Sequence, residues 1–365
     1  MRSLLSTPRP RTTGGAADAM GAEEPHGSRR PLPPPGLLKE LPRWRLRERL
    51  ASLGAATLYS RLRLKWRRMR VQEVAVRILL GEAGVRLEAG SGGRLLEVDE
   101  LTGLRLLAPG GREPYDAVVG QEPPYDVSAE DIDTERRTPI IAIDLSQLPH
   151  HRHERELRSL RRQVVCTLGV VRRYLWDAHL LLAPVDERVI EWLGAGMRLD
   201  HVWLSGGTCT EALRSHGYRR IILLDPEAEK PLTGREVREA EAFIIGGIVD
   251  LLPRRGATRT IEAEGAERRS ILLRGSVIGV PNRINIVASI LLTARYVTGD
   301  VEEAVRANMC PRDARLRAAV EIARRARGGM VDWSLYEELR KWLPLTRRDF
   351  VKAARMAGVR VTGGT

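Results

Sequence analysis

Three carboxylates stand where strand-like runs end: Asp144 after residues 139–143, Asp225 after 220–224, and Asp250 after 242–249. Glycine-bearing turns accompany them, at Ser205-Gly206-Gly207-Thr208, Gly246-Gly247 and Gly279-Val280-Pro281-Asn282. A positioned carboxylate takes or gives a proton, and glycine lets backbone come close to a ligand. The combination suits acid–base chemistry beside a small bound cofactor. Gly246-Gly247 interrupts the apolar run 243–249, where glycine weakens a strand and marks either a ligand's close approach or a tight bend. Asp144 and Asp225 read equally well as loop or helix-capping residues. No nucleotide fingerprint explains the glycines. Gly194-Ala195-Gly196 lacks a third glycine and follows a helical stretch, and no phosphate-cradling G-x-x-x-x-G-K-[ST] loop is present. His150, His151 and His153 with Glu154 have metal-ligand types, but no cysteine lies near, so they read as a solvated turn and no metal is expected.

These residues need a scaffold that brings strand ends together. Strand-like stretches at 139–143, 202–204, 220–224, 242–249 and 271–280 alternate with helical ones at 152–180, 186–196, 208–216, 233–241 and 283–297. Such alternation predicts a parallel sheet with helices on both faces, and ligands of open parallel sheets sit at the carboxyl ends of strands. The expected α/β domain spans 136–300. Before it, residues 1–36, with the run Pro31-Leu32-Pro33-Pro34-Pro35-Gly36, read as a disordered arm. Residues 37–135 read as a basic α+β domain. Within it, Leu58, Leu62, Trp66 and Met69 fall at helical spacing, 71–119 reads as short strands between glycine turns, and 126–135 as an acidic linker. Residues 301–365 read as a basic helical domain in which Thr346 and Asp349 form a capping box.

Charge sharpens the division. The chain has 365 residues and a net charge of +13; about +11 of it lies in residues 1–70, which predicts an acidic partner for that end. Cys166, Cys209 and Cys310 are odd in number and widely spaced, which argues against a disulfide framework or a structural zinc site and makes a reducing cytoplasm the expected setting. No run approaches the ~18 apolar residues of a membrane span.

The run Phe243-Ile244-Ile245-Gly246-Gly247-Ile248-Val249-Asp250, followed by Gly275-Ser276-Val277-Ile278-Gly279-Val280-Pro281-Asn282-Arg283-Ile284-Asn285, resembles SPOUT-class methyltransferases that modify N1 of the purine at position 9 of tRNA. Ile143-Asp144-Leu145-Ser146, Ser159-Leu160 with Gln163, and Gly169-Val170-Val171-Arg172 with Tyr174-Leu175-Trp176 are similar to the archaeal branch of that family. The resemblance is strong over 137–300. It implies a trefoil-knotted domain that binds S-adenosylmethionine through Leu223 and Leu224, Gly246, Gly247 and the rest of that loop to Asp250, and Ile278, Gly279 and Val280. It also implies that Asp250 is the general base and that the enzyme is a monomer. Asn282 stands where some relatives carry Asp, which removes a second acid–base group and leans toward adenine as substrate.

A tRNA partner accounts for the basic ends. Arg43, Arg45, Arg47, Arg49, Arg61, Lys65, Arg67 and Arg68 on one side, and Arg347, Arg348, Lys352 and Arg355 on the other, would clamp phosphates. Trp44, Tyr59 and Trp66 are candidate stacking rings, although Trp66 falls on the apolar stripe and reads as core. Two rival readings remain open: a non-catalytic RNA-binding protein and a ribosomal RNA methyltransferase on the same scaffold.

Overall fold

The stretch expected to be helical through Leu58, Leu62, Trp66 and Met69 is a strand at Leu58 followed by a loop instead. The computed structural model describes residues 33–151, 153–249 and 257–363; most of the expected arm, and Asp250, lie outside them. Helices α1 (Pro35–Leu38) and α2 (Pro42–Ser52) lead into β1 (Thr57–Ser60), a loop over 61–69, and α3 (Arg70–Leu79). The helical stripe sits one element later than expected. Val71, Val74, Ala75, Ile78 and Leu79 are buried at i, i+3, i+4, i+7 and i+8, a complete apolar face whose valines and isoleucine favour strands in isolation. Tertiary packing overrides that preference. Strands β2 (Gly84–Arg86), β3 (Gly90–Val98), β4 (Arg105–Pro109), β5 (Glu113–Tyr115) and β6 (Ala117–Gly120) complete a mixed sheet in the order β2-β6-β1-β4-β3-β5.

The expected acidic linker is structural. Its helix α4 (Ala129–Ile132) carries a Ser128–Asp131 capping box and buries Ile132 completely in the first core.

After it come β7 (Ile140–Asp144), α5 (Glu154–Tyr174), β8 (Leu180–Ala183), α6 (Glu187–Gly194), β9 (Trp203–Leu204), α7 (Cys209–Ser215), β10 (Ile221–Leu224), α8 (Gly234–Glu239), β11 (Ala242–Gly246) and β12 (Glu267–Arg269). Every neighbour pair in the resulting sheet is parallel, in the order β12-β10-β11-β7-β8-β9. Side chains alternate between two faces. Ile141, Ile143, Leu182, Leu224, Phe243 and Ile245 enter one core cluster, while Ile140, Ala142, Leu181, Leu223 and Ile244 enter another, as a sheet buried on both sides requires. Strand β8 has no separate signal in the sequence, because its Leu-Leu-Leu-Ala run abuts the end of a long helical pattern. The strand expected at 271–280 is a loop: Arg274, Gly275 and Gly279 have φ of 47°, 71° and 83°, which a strand cannot accommodate.

The chain then forms α9 (Ile284–Thr293), a π-helical turn (Ala294–Thr298), α10 (Val301–Asn308), α11 (Pro311–Arg325), β13 (Met330–Asp332), α12 (Ser334–Leu339), α13 (Arg347–Met356) and β14 (Arg360–Thr362). The Thr346–Asp349 capping box is present. Residues of α10, α11 and α13 share one core with α5, α9 and one face of the parallel sheet. Leu37, Leu38 and Leu41 enter that core as well, whereas Leu46 and Leu50 enter the first one. Between them Glu40 receives two bonds from Arg295, at 2.8 and 2.6 Å, and one from the Tyr296 hydroxyl at 2.6 Å.

Candidate active site

Strand order reverses between β7 and β11. The chain runs outward from β7 through β8 to β9, then crosses to β10 and returns with β11 beside β7, pairing Gly246 with Asp144. Such a switch point opens a crevice at the carboxyl ends of the strands, and this is where Asp144, Leu224 and Gly246 end their strands.

Irregular backbone beyond β11 needs partners that a ladder no longer supplies, and they come from three elements. Gly247 N–H donates to the Asp144 carbonyl at 2.7 Å. Val249 N–H donates to His151 Nε2 at 3.1 Å, which leaves Nδ1 to donate to the Leu148 carbonyl at 3.2 Å. His151 is therefore no solvated-turn residue: it is buried and holds the last described residue before Asp250. Its neighbour His153 caps α5. Among the described residues no group of three or more His, Cys, Asp or Glu could hold a metal ion.

The second loop is held as firmly. Ile284 N–H, at the start of α9, donates to Gln163 Oε1 of α5 at 2.9 Å. Arg317 of α11, 1% exposed, donates through Nη1 to the Ile278 carbonyl at 3.2 Å. A Cβ on Gly279 would stand 2.5 Å from Arg317 Cβ, so helix and loop touch directly. Nothing in the sequence marks Arg317, whereas Gln163 was visible only through the family resemblance. Ile278 is exposed, Val280 and Val249 half-buried and packed against the main core. Asn282 is exposed.

Leu223 and Leu224 face opposite sides of the sheet, so a ligand lying on one face meets one of the two side chains and can meet only the backbone of the other. Both are buried.

The two secondary carboxylates differ. Asp144 is buried and accepts from Ser146 N–H at 3.0 Å and from the Ser146 hydroxyl. Burial raises its pKa, and Glu262 adds to the rise, against the opposing Ser146 bonds. The same burial pushes the Cys209 thiol, beside it on α7, well above its usual range. Asp225 is ion-paired with Arg268 at 3.0 Å and accepts from Glu227 N–H at 3.0 Å. It borders a cavity of about 500 Å³ with Lys230 and Arg268.

On the basic ends, internal pairing thins the expected contact set. Arg43 bonds Asp99 at 3.0 Å, Arg49 bonds Asp131 at 2.9 Å, Arg45 donates to the Asp133 carbonyl, and Arg61 pairs with Glu88 at 3.0 Å. Lys65, Arg67, Arg68, Arg347 and Arg348 are exposed. Trp66 is half-buried, not core.

Comparison with known proteins agrees with this architecture. Residues 173–273 match the family described as protein arginine N-methyltransferase SFM1-like. A crystal structure of Sulfolobus acidocaldarius Trm10 in complex with S-adenosylhomocysteine matches with a TM-score of 0.67 and 20% identity, over 87% of this chain and 98% of that one. The parallel sheet, its switch point and this likeness define the SPOUT methyltransferase fold. The tRNA (guanine(9)-/adenine(9)-N1)-methyltransferase of Thermococcus kodakarensis is 33% identical over 232 residues, 60% of this chain and 62% of the relative. The tRNA (adenine(9)-N1)-methyltransferase of Sulfolobus acidocaldarius is 27% identical over 270 residues, 71% of this chain and 80% of the relative. The chain thus spans less than two thirds of the first relative's length, and its likeness is to methyltransferases named for N1 of the purine at position 9 of tRNA. No helix among the described residues is long and apolar enough to cross a membrane.

Proposed function

We propose that this protein is an S-adenosylmethionine-dependent methyltransferase acting on N1 of adenine or guanine at position 9 of tRNA, working as a cytoplasmic monomer of the archaeal branch. The observation that carries the reading is the pinned loop Gly246–Val249, fixed at the sheet's switch point by the Asp144 carbonyl and His151 and running directly into Asp250. The site's residues suit the cofactor: apolar Leu223 or Leu224, Val249, Ile278 and Val280 offer walls for an adenine, and backbone groups of Gly246, Gly247 and Gly279 other than the Gly247 amide, which the Asp144 carbonyl takes, offer polar contacts. When bound, the cofactor supplies an electrophilic methyl group. The chain's own work is to bind, orient and deprotonate. Guanine N1 carries a proton whose pKa lies far above neutrality, and Asp250 would accept it, an assistance of about 10²–10⁴-fold. Adenine N1 already offers a lone pair, so there the same carboxylate would face the positive charge that methylation leaves. Lys65, Arg67, Arg68, Arg347 and Arg348 would hold RNA phosphates, and Arg61 would do so on exchanging Glu88 for a phosphate.

The test is incubation of the protein and cofactor with paired tRNA transcripts carrying A or G at position 9, read by reverse-transcription stops at that position. A stop with either base is expected. No stop with both defeats the assignment.

A further inference from the structure

We propose that a second cleft, remote from the methyl-transfer crevice, captures one unstacked nucleotide of the RNA, with Trp66 stacking on its base and Arg63 and Lys65 on its phosphate. The proposal rests on the tRNA reading above and deepens it: the phosphate contact already given to Lys65 becomes part of a built nucleotide site with Trp66 and Arg63.

The cleft measures about 470 Å³, within the range of small-ligand pockets. One wall is the 61–69 loop, and its backbone is built in. Both carboxylate oxygens of the buried Glu73 accept from this loop, one from Lys65 N–H and one from Trp66 N–H, each at 2.7 Å. Arg77 Nη1 adds a bond to the Arg63 carbonyl at 3.4 Å. A loop fixed by its amides presents its side chains outward without the ordering cost a free loop would bear. The opposite wall comes from residues just before β8 and β9, including Asp177 and His201.

Charge balance in the cleft is uneven. Glu73 is occupied by the two loop amides. Glu82 pairs with Arg77 at 3.4 Å and Arg198 at 3.1 Å, Asp177 receives two 2.6 Å bonds from Arg172, and Asp200 pairs with Arg198 at 3.2 Å. Every acid is thus answered, while Arg63 and Lys65 have no carboxylate partner among the described residues. The exposed Arg67 and Arg68 continue the positive rim. A half-buried indole beside two uncommitted cations is the combination that binds single-stranded nucleotides, because every base has a stackable face and every linkage a charge.

Position separates this cleft from the chemistry. Asp177 and His201 precede their strands, whereas Asp144, Leu224 and Gly246 end theirs. The two sites lie at opposite ends of one sheet, a strand length or about 13 Å for the four residues of β8. A nucleotide held there is not the methylated one. It anchors the RNA while the target purine enters the crevice.

The test uses the full chain and a tRNA transcript. Trp66→Ala is expected to weaken tRNA binding about tenfold, as loss of one stacked base does, with Trp66→Phe recovering most of it and S-adenosylhomocysteine affinity by calorimetry unchanged. Intrinsic fluorescence quenched by the transcript should be retained in wild type and reduced in Trp66→Phe. Arg63→Ala and Lys65→Ala, both at the protein surface, should each lower the slope of log K against log salt by about one. Unchanged tRNA affinity in Trp66→Ala with intact cofactor binding overturns the proposal, and so do unchanged salt slopes in both surface variants. Quenching by adenosine monophosphate but not by the transcript would make this a free-nucleotide site and overturn it too. Trp66-dependent RNA binding without methylation of either position-9 transcript would fault the methyltransferase reading and leave the cleft standing.

Discussion

Gly247→Ala is the perturbation that most directly tests how the crevice is built. A Cβ at this position would stand 2.5 Å from the Asp144 carbonyl oxygen and 3.0 Å from Leu145 Cδ2. The nearest obstacle is backbone, and it is the same carbonyl that accepts the Gly247 N–H at 2.7 Å. Neither side can yield by changing a rotamer. The loop must retreat by roughly 0.5 Å to reach even a 3.0 Å contact in a close-packed interior, and it stretches its own hydrogen bond in doing so. That displacement is handed on along the loop to Val249. Misplacement on the order of 1 Å costs about 10²-fold in rate, so single-turnover methylation of a tRNA transcript should fall by one to two orders of magnitude. Gly246→Ala is the control. Its Cβ would meet Ile261 Cδ1 at 3.0 Å and Ile248 Cδ1 at 3.2 Å, the far ends of flexible side chains that can swing aside. Its loss should be only a few-fold. Equal rates in the two variants, or a wild-type rate in Gly247→Ala, would refute the reasoning that the Asp144 carbonyl positions the loop to which the proposed function assigns the chemistry.

Other perturbations follow from the same structure. Glu40→Ala leaves the buried Arg295 guanidinium without its counter-charge and the Tyr296 hydroxyl without its acceptor, so the urea midpoint should drop by an amount equivalent to about 3–5 kcal/mol; a loss under about 1 kcal/mol would show that this cluster does not tie the N-terminal helices to the sheet. Burial lowers the His179 pKa to about 4 from an ordinary 6.5, so the folded state holds it neutral, its contribution is whole above pH 6.5, and it is lost as pH falls through 4. The loss approaches about 3 kcal/mol. His179→Asn should flatten stability between those pH values, and a profile parallel to wild type would contradict it. Asp144, raised by burial, has the opposite sign: ionising it opposes folding above its folded pKa. Asp144→Asn should therefore raise the melting temperature at neutral pH, with the gain vanishing below about pH 3.9; a gain that persists in acid would exclude burial as its cause.

Much of the parallel sheet was legible because its strands are short apolar runs separated by capped helices, and because the period-two alternation of 139–143 and 242–246 is buried on both sides. The N-terminal half misled for a physical reason. Leu58, Leu62, Trp66 and Met69 have helical spacing, but Leu58 is central to a sheet, while the true helix α3 is written in valine and isoleucine. The glycines of the crevice were visible as interruptions in an apolar run; what they approach was not, since Asp144 and Gly247 are far apart in sequence and meet only through β7–β11 pairing. His151 was passed over because a histidine cluster beside a charged helix resembles surface, and only the tertiary contact with Val249 shows otherwise. Arginine counts overstated the phosphate-binding surface for the same reason. Arg43, Arg45 and Arg49 bond acids and a carbonyl of segments 99–133 that no local pattern links to them.

Arg317 shows why the crevice cannot be assigned to the α/β domain alone. The loop 275–283 has lost its strand, so the Ile278 carbonyl must find a donor elsewhere, and the donor is a guanidinium from α11. That guanidinium is itself buried, ion-paired with Glu321 at 2.9 Å and set 5.6 Å from the Trp342 ring. On the other side of the contact Gly279 adopts φ of 83° and leaves no room for a Cβ against the helix. A loop with this conformation is stable only while the helix is present to complete it. The basic C-terminal segment, read from its charge as an RNA clamp, therefore also holds the 275–283 loop, which the proposed function assigns to the cofactor. RNA bound at α13, under the proposed function, would press on α11 through the Arg315–Asp349 bond, and α11 is the helix that holds this loop.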